Sequence, residues 1–254
     1  MANWNLKSFD DIYSSIAESA YKDRPNSFPK LFNKNKSTEI DYSKSKKDNE
    51  GQITKGGGTD LPNGGKVYLQ PDSKKLLEDE ETGYNAYYVT DTETINANTH
   101  QTYFAIRGSD GFGINLPQIK KGNFKEFNYQ DWINNDAAFA LTDAIVPQAK
   151  YATKGMKEKI TELEEKAAPN AKMDVTAHSL GTMVSVQGLA GLSESELNHV
   201  GKAVLFDGPD TTASLKKAGY SDEKLKLLDK KLFIMSILLI QLVCSIVINH
   251  GINN

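Results

Sequence analysis

One short segment carries the residues best suited to chemistry. It spans residues 173–181 and reads Met-Asp-Val-Thr-Ala-His-Ser-Leu-Gly. A strand-like run ends at Ala177, Ser179 follows, and residues 182–192 have the composition of a helix. This order predicts that Ser179 lies on a sharp strand-to-helix turn, where a serine hydroxyl can act as a nucleophile. Ala177 and Gly181 are small, as such a turn requires, because it brings strand and helix into close contact.

The predicted helix adds a second chemical feature. Its N-terminus places backbone N–H groups and a partial positive charge beside Ser179, where they can stabilise a developing oxyanion. The alternative is that Ser179 and Gly181 mark an ordinary loop. The strand before Ser179 and the helix after it favour the interpretation of Ser179 as a nucleophile. Residues 177–181 form the elbow.

A serine nucleophile needs a base, and the chain has four histidines. In α/β hydrolases the nucleophile is followed by an acid and then by the histidine. His100 precedes Ser179 and suits a turn, whereas the side chain of His178 should point away from its neighbour. His199 comes directly before a predicted strand and therefore lies at the wrong end of the sheet. Only His250 has the required order, and its alternative is a solvated residue near the C-terminus.

The elements that must position these residues are indicated by hydrophobic periodicity. An amphipathic helix is predicted around residues 9–20, a long helix over residues 131–168 with Pro147 as its kink or start, and a charged helix over residues 221–231. Residues 22–65, rich in Lys, Asn, Ser and Gly, predict a solvated connection or a lid. Strands are predicted at Lys66–Leu69, Tyr84–Thr90, 102–106 and 202–206. A polar turn over residues 91–100 should join the second and third of these strands as a hairpin.

Alternation of strands and helices in the second half predicts an α/β fold with a mostly parallel sheet and helices on both faces. One domain is expected over residues 1–231, followed by an apolar tail over residues 232–254. Residues 232–248 contain no charged side chain and follow two lysines. A membrane span, a buried strand with a short core helix, and a change of reading frame near Lys231 are equally consistent with that composition. A span or a changed frame would leave apolar surface exposed, His250 far from Ser179 and activity close to zero.

Four motifs together resemble a known family, the fungal-type (class three) triacylglycerol lipases. The elbow resembles the Gly-His-Ser-Leu-Gly motif of that family. The other three resemble its Phe-Arg-Gly-Ser/Thr strand end, its Trp-x-x-Asp element and its Gly-x-Pro turn. They read Phe104-Ala-Ile-Arg-Gly-Ser109, Asp131-Trp-Ile-Asn-Asn-Asp136 and Val204-Leu-Phe-Asp-Gly-Pro209. All four stand in the family's order and cover residues 84–215.

The resemblance implies an α/β hydrolase that cleaves carboxylic esters, in lipids or small molecules, through an acyl-enzyme. It also implies an oxyanion hole formed by Ser109 and the backbone N–H of Leu180, and a turn residue or a helix cap is the less favoured alternative for Ser109. An inactive binding or membrane-associated protein with the same fold is one alternative function. An acyltransferase or thioesterase, which would share the elbow, is another.

The chain departs from the family at two places. Ala177 stands where the family has glycine, which is tolerable because alanine is still small. Residues 232–248 contain no acid, although the catalytic acid of the family belongs in that region. Asp207 is the better substitute and would hold His250, and Asp210 is the second choice; a turn residue and a helix N-cap are their respective alternatives.

Composition limits the remaining function classes. The net charge of −3, without a concentration of basic residues, gives no reason to expect nucleic acid as a partner. The single cysteine, Cys244, excludes an intramolecular disulfide, and without a cluster of Cys, His and carboxylates neither a metal nor an organic cofactor is expected. No basic region followed by an apolar run opens the chain, so we expect a cytoplasmic protein, or one exported without a cleaved signal. Membrane contact would come from the tail.

Overall fold

The computed structural model describes residues 12–22, 24, 26–43, 65–108 and 144–235, together with the backbone of residues 46–47 and 53–54. Strands in these ranges are β1 Thr38–Asp41, β2 Lys46–Lys47, β3 Ile53–Thr54, β4 Lys66–Leu69, β5 Glu78–Asp79, β6 Tyr84–Thr90, β7 Gln101–Ile106, β8 Lys172–His178, β9 Val200–Phe206 and β10 Leu232–Met235. Helices are α1 Ile12–Ser19, α2 Phe28–Leu31, α3 Gln148–Lys166, α4 Leu180–Ala190, α5 Glu194–His199, α6 Thr212–Lys217 and α7 Asp222–Asp229.

Eight of these strands form one mixed sheet in the order β1-β4-β6-β7-β8-β9-β10, with β5 paired to β6. Strands β7 to β10 are parallel, whereas β1, β4, β5, β6 and β7 pair antiparallel. The predicted α/β character is therefore confirmed, but a mostly parallel sheet is wrong for the N-terminal half. The predicted hairpin accounts for one of these antiparallel pairs, since a short turn after β6 returns β7 in the antiparallel direction.

The sheet is covered by helices on both faces, as predicted. Side chains of a strand alternate between the two faces. Phe104 and Ile106 of β7 therefore pack in one core with α3 and α4, and Tyr103 and Ala105 pack in the other with α1. Every residue of α4 is buried, because this apolar helix lies between the sheet and α3.

Helix α3 confirms the predicted apolar stripe and corrects the predicted helix length. The stripe is buried along its whole length and consists of Ala149, Ala152, Met156, Ile160 and Leu163. Pro147 precedes the first helical residue, so it starts the helix, as its fixed φ allows. Residues 144–147 are not helical, and a continuous helix from residue 131 is therefore wrong, while residues 131–143 lie outside the described part.

Part of the predicted solvated connection belongs to the core. Phe28, Ile40 and Tyr42 are each at most 2% exposed and pack against the α1 face of the sheet. A loop or lid with little to bury is thus the wrong description of residues 28–42. Because residues 22–65 are mostly polar, their composition did not reveal these few apolar side chains, which lie in α2, in β1 and directly after β1.

The beginning of the predicted tail joins the sheet. Strand β10 pairs in parallel with β9, so the sheet extends past the predicted boundary at residue 231. Phe233 and Ile234 are nonetheless 50% and 56% exposed, and β10 is the last strand of the sheet among the described residues. Both residues therefore belong to a paired strand but are not buried in the core. Residues 236–254 lie outside the described part. No helix in the described ranges has the length and apolar character of a membrane span.

Candidate active site

Ser179 occupies the predicted turn between strand and helix. Strand β8 ends at His178, α4 begins at Leu180, and Ser179 adopts φ 59° and ψ −131°. A residue with a side chain rarely adopts these angles, and the strain is of the order of 1–3 kcal/mol. The predicted placement is confirmed, and the backbone carries the strain expected where a nucleophile is held on a sharp turn.

Hydrogen bonds on both sides hold this turn in its strained conformation. The Ser179 N–H donates to the carbonyl of Phe206 at the end of β9, at 3.0 Å. The Ser179 carbonyl accepts from the N–H and the hydroxyl of Thr182, at 2.9 and 2.6 Å. Strain at a single residue persists only where its surroundings over-determine it, and these three bonds do so here.

The Ser179 hydroxyl is buried but makes no hydrogen bond with any residue that the structure describes. The residue is 2% exposed, and no acceptor or donor among the described side chains and backbone satisfies Oγ. A buried hydroxyl without a partner costs about 1–3 kcal/mol, so such a group in a protein calls for an explanation. A base or a substrate that engages Oγ would supply one.

The end of β7 lies directly against the elbow. A Cβ added to Gly181 would stand 2.5 Å from the carbonyl oxygen of Ile106. A Cβ added to Gly108 would stand 2.6 Å from the His178 carbonyl oxygen and 3.3 Å from Ser179 Cβ. Only glycine fits at either position, and the predicted approach of this strand end to the start of α4 is confirmed as far as Gly108.

The structure describes only one of the two predicted oxyanion donors. Leu180 is the first residue of α4, where backbone N–H groups have no intrahelical acceptor and the helix dipole is positive. Its N–H therefore lies next to Ser179 in the chain, at the positive end of the helix dipole. Ser109 follows Gly108 directly but lies outside the described residues. The roles of both residues in an oxyanion hole stay predictions.

His178 faces α1, on the side of the sheet opposite α4. Its Nδ1 lies 3.0 Å from the hydroxyl oxygen of Tyr21, which follows α1, and the two rings meet edge to face. Burial, with a smaller contribution from the positive charge of Arg24, lowers the pKa of His178 to about 3. The ring is therefore neutral at physiological pH and fixes the elbow to the N-terminal part of the chain.

Two other histidines lie at the far end of the sheet. The carbonyl of His100 accepts a backbone hydrogen bond from Lys172 at the start of β8. His199 directly precedes β9, and its Nε2 lies 2.9 Å from Glu164 of α3. Strand β8 separates that end from Ser179 by about 20 Å at the usual rise per residue. Neither can serve as the base, as predicted, and His250 lies outside the described residues.

The two candidate acids have different local roles. Asp207 directly follows β9 with a positive φ of 52°, and its N–H donates to the carbonyl of Met235 at 2.8 Å. It therefore lies at the same end of the sheet as Ser179. The Asp210 carboxylate accepts from the hydroxyl and the N–H of Thr212, and these bonds lower its pKa. Asp207 is the better placed of the two, and its catalytic role stays a prediction.

The strain at Ser179 gives a prediction on stability. We expect Ser179→Gly to be more stable than Ser179→Ala by about 1 kcal/mol, because glycine adopts these angles freely and this gain exceeds its cost in unfolded-state entropy. Both variants remove the buried hydroxyl, so that contribution cancels in the comparison. Urea unfolding of the two proteins measures the difference. Equal stability, or a more stable alanine variant, would show that the turn is not strained in solution.

Sequence reasoning missed Tyr21, which follows α1 and carries no local signal of a role at the elbow. Within the described ranges, no group of three or more His, Cys, Asp or Glu side chains could hold a metal ion.

Comparisons with protein-family models, with curated proteins and with solved structures found no match to this chain.

Proposed function

We propose that this protein is a serine hydrolase that cleaves carboxylic esters through an acyl-enzyme, as a lipase or esterase does. The observation that carries the proposal is Ser179 itself, a buried hydroxyl on a strained strand-to-helix turn. Two glycines, Gly108 and Gly181, bring the end of β7 against that turn. An ordinary loop has no need of either the strain or the close approach.

The proposed reaction has two steps. Ser179 Oγ attacks the ester carbonyl while His250 accepts its proton, and the oxyanion receives the N–H of Leu180 and a donor from Ser109. The carbon–oxygen bond to the leaving alcohol then breaks, and His250 returns the proton to that alcohol. Water attacks the acyl-enzyme in the same way and releases the acid and Ser179. Asp207 holds the His250 ring in the orientation that these transfers need.

The path of the chain supports His250 as the base. Strand β10 runs parallel to β9, so Met235 ends at the same edge of the sheet as Asp207 and the elbow. His250 follows Met235 by 15 residues (250 − 235 = 15). Fifteen extended residues reach at most about 50 Å, which is ample to return a side chain to Ser179.

A second candidate function is a binding protein that keeps the hydrolase-like fold without activity. The observation that favours it is the location of the described histidines. His178 faces α1, and His100 and His199 lie at the opposite end of the sheet. A serine without an oriented base keeps only what the oxyanion hole and substrate binding supply.

Labelling with a fluorophosphonate distinguishes the two candidates. This reagent forms a covalent bond with an activated serine and releases fluoride, and tandem mass spectrometry locates the modified residue. We expect a single label on Ser179 and none on Ser185, which is buried in α4 with its hydroxyl bound to the Gly181 carbonyl. Ser185 is thus an internal control for unactivated serines. A chain that remains unlabelled at Ser179 under conditions that label an ordinary esterase would favour the binding protein.

A further inference from the structure

We propose that Tyr21 is a positioning residue that sets the separation between the oxyanion strand end and the nucleophile; this inference rests on the proposed function. The Tyr21 hydroxyl, buried behind the elbow, accepts a hydrogen bond from the Gly108 N–H at 3.1 Å. The same oxygen lies 3.0 Å from Nδ1 of His178. One side chain therefore joins the residue before Ser109 to the residue before Ser179.

The Tyr21 hydroxyl accepts a hydrogen bond from the first backbone N–H after the end of the strand pairing of β7. Strand β7 pairs with β8 as far as Ile106, and the next N–H, of Arg107, donates to the Asn85 carbonyl at 3.0 Å. The following N–H, of Gly108, donates to Tyr21 instead of to a strand. The Tyr21 hydroxyl therefore fixes the position of the Gly108 backbone, directly before the predicted oxyanion donor.

The bond also determines which donors remain for the substrate. Because the Gly108 N–H is engaged by Tyr21, it is not available to an oxyanion, and the donor from this strand end must come from the next residue, Ser109. Catalytic donors have to stand about 2.7–3.1 Å from the position of the oxyanion. A Cβ on Gly108 would already be 3.3 Å from Ser179 Cβ, so small shifts of this strand end change that geometry directly.

Tyr21 can act in this way because α1 is fixed along β8. Three successive residues on one face of β8 bind the N-terminal segment. The hydroxyl of Tyr13 donates to Asp174 at 2.6 Å, the hydroxyl of Thr176 donates to the Tyr13 carbonyl at 3.0 Å, and His178 meets Tyr21. These contacts tie the N-terminal segment that carries Tyr21 to β8, and a side chain held in this way positions its partner more closely than one on a free loop.

The test is Tyr21→Phe, which deletes the hydroxyl and keeps the ring. The matched control is Tyr42→Phe. Tyr42 is also buried, and its hydroxyl donates to Ser19 of α1 at 2.7 Å and not to a residue of the elbow. We expect Tyr21→Phe to lower kcat on p-nitrophenyl butyrate about 10- to 100-fold with KM changed less than about twofold, because misplacement affects the transition state most. Tyr42→Phe should keep the wild-type kcat.

Amide hydrogen exchange followed by NMR gives a readout that does not depend on activity. The Gly108 amide should exchange about tenfold faster in Tyr21→Phe and at the wild-type rate in Tyr42→Phe. A wild-type kcat in Tyr21→Phe, alongside hydrolysis that Ser179→Ala abolishes, would overturn the inference and leave the proposed function intact. If the wild type shows no Ser179-dependent hydrolysis, the proposed function fails. The exchange rate of the Gly108 amide is then the remaining test of the hydrogen bond to Tyr21. An unchanged rate in Tyr21→Phe would overturn the inference.

Discussion

Replacement of Ser179 by alanine should lower the turnover of a short-chain chromogenic ester by about three to six orders of magnitude. The oxyanion hole and the binding site would remain, and these alone supply only a small part of the rate enhancement of a serine hydrolase. The measurement is the initial rate of p-nitrophenyl butyrate hydrolysis at a concentration well above KM. We expect KM to change little, because the serine hydroxyl contributes more to the transition state than to ground-state binding.

Ser185→Ala is the matched control for this substitution. Ser185 lies in α4, is fully buried and donates to the carbonyl of Gly181, so its replacement also removes a buried hydroxyl close to the elbow. The control should keep turnover within a fewfold of the wild type. Equal losses in both variants would mean that damage to α4, and not removal of a nucleophile, explains the effect. Unchanged turnover in Ser179→Ala would remove Ser179 from the mechanism.

The elbow could be predicted because its signal is local. A strand, a serine between small residues and an apolar helix follow one another within 20 residues, and each has a periodicity that the chain alone reveals. The sharp turn follows from that order. The strands β4 and β6 were predicted with their observed bounds for the same reason, since their β-branched and aromatic residues lie between polar turns.

The rest of the site depends on contacts between distant parts of the chain. Tyr21 and His178 are 157 residues apart, and Gly108 is 87 residues from Tyr21. No local pattern specifies such pairs, because they exist only once α1 has packed on β8. Strand β1, at the antiparallel end of the sheet, was missed for a related reason. Strand β1 comes from a polar segment, and only its pairing with β4 shows that Ile40 is a core residue.

The sheet topology brings the proposed catalytic groups to the carboxyl ends of the parallel strands. Strands β7, β8 and β9 are parallel, so the residues that follow them, Gly108, Ser179 and Asp207, all lie at the carboxyl end of the sheet. Ligand sites of open α/β sheets occur at this end, because loops can diverge there above a common set of strands. Strand β10 delivers the chain to the same edge, and this is why a histidine beyond it is a reasonable base.

His250→Ala should lower ester turnover by about three to six orders of magnitude, comparable to loss of the nucleophile, because Ser179 would lose its proton acceptor. His199→Ala is the matched control. His199 pairs with Glu164 at the far end of the sheet, and its replacement should leave turnover unchanged. Full turnover in His250→Ala would exclude it as the base, and a wild type as slow as Ser179→Ala would favour the binding protein.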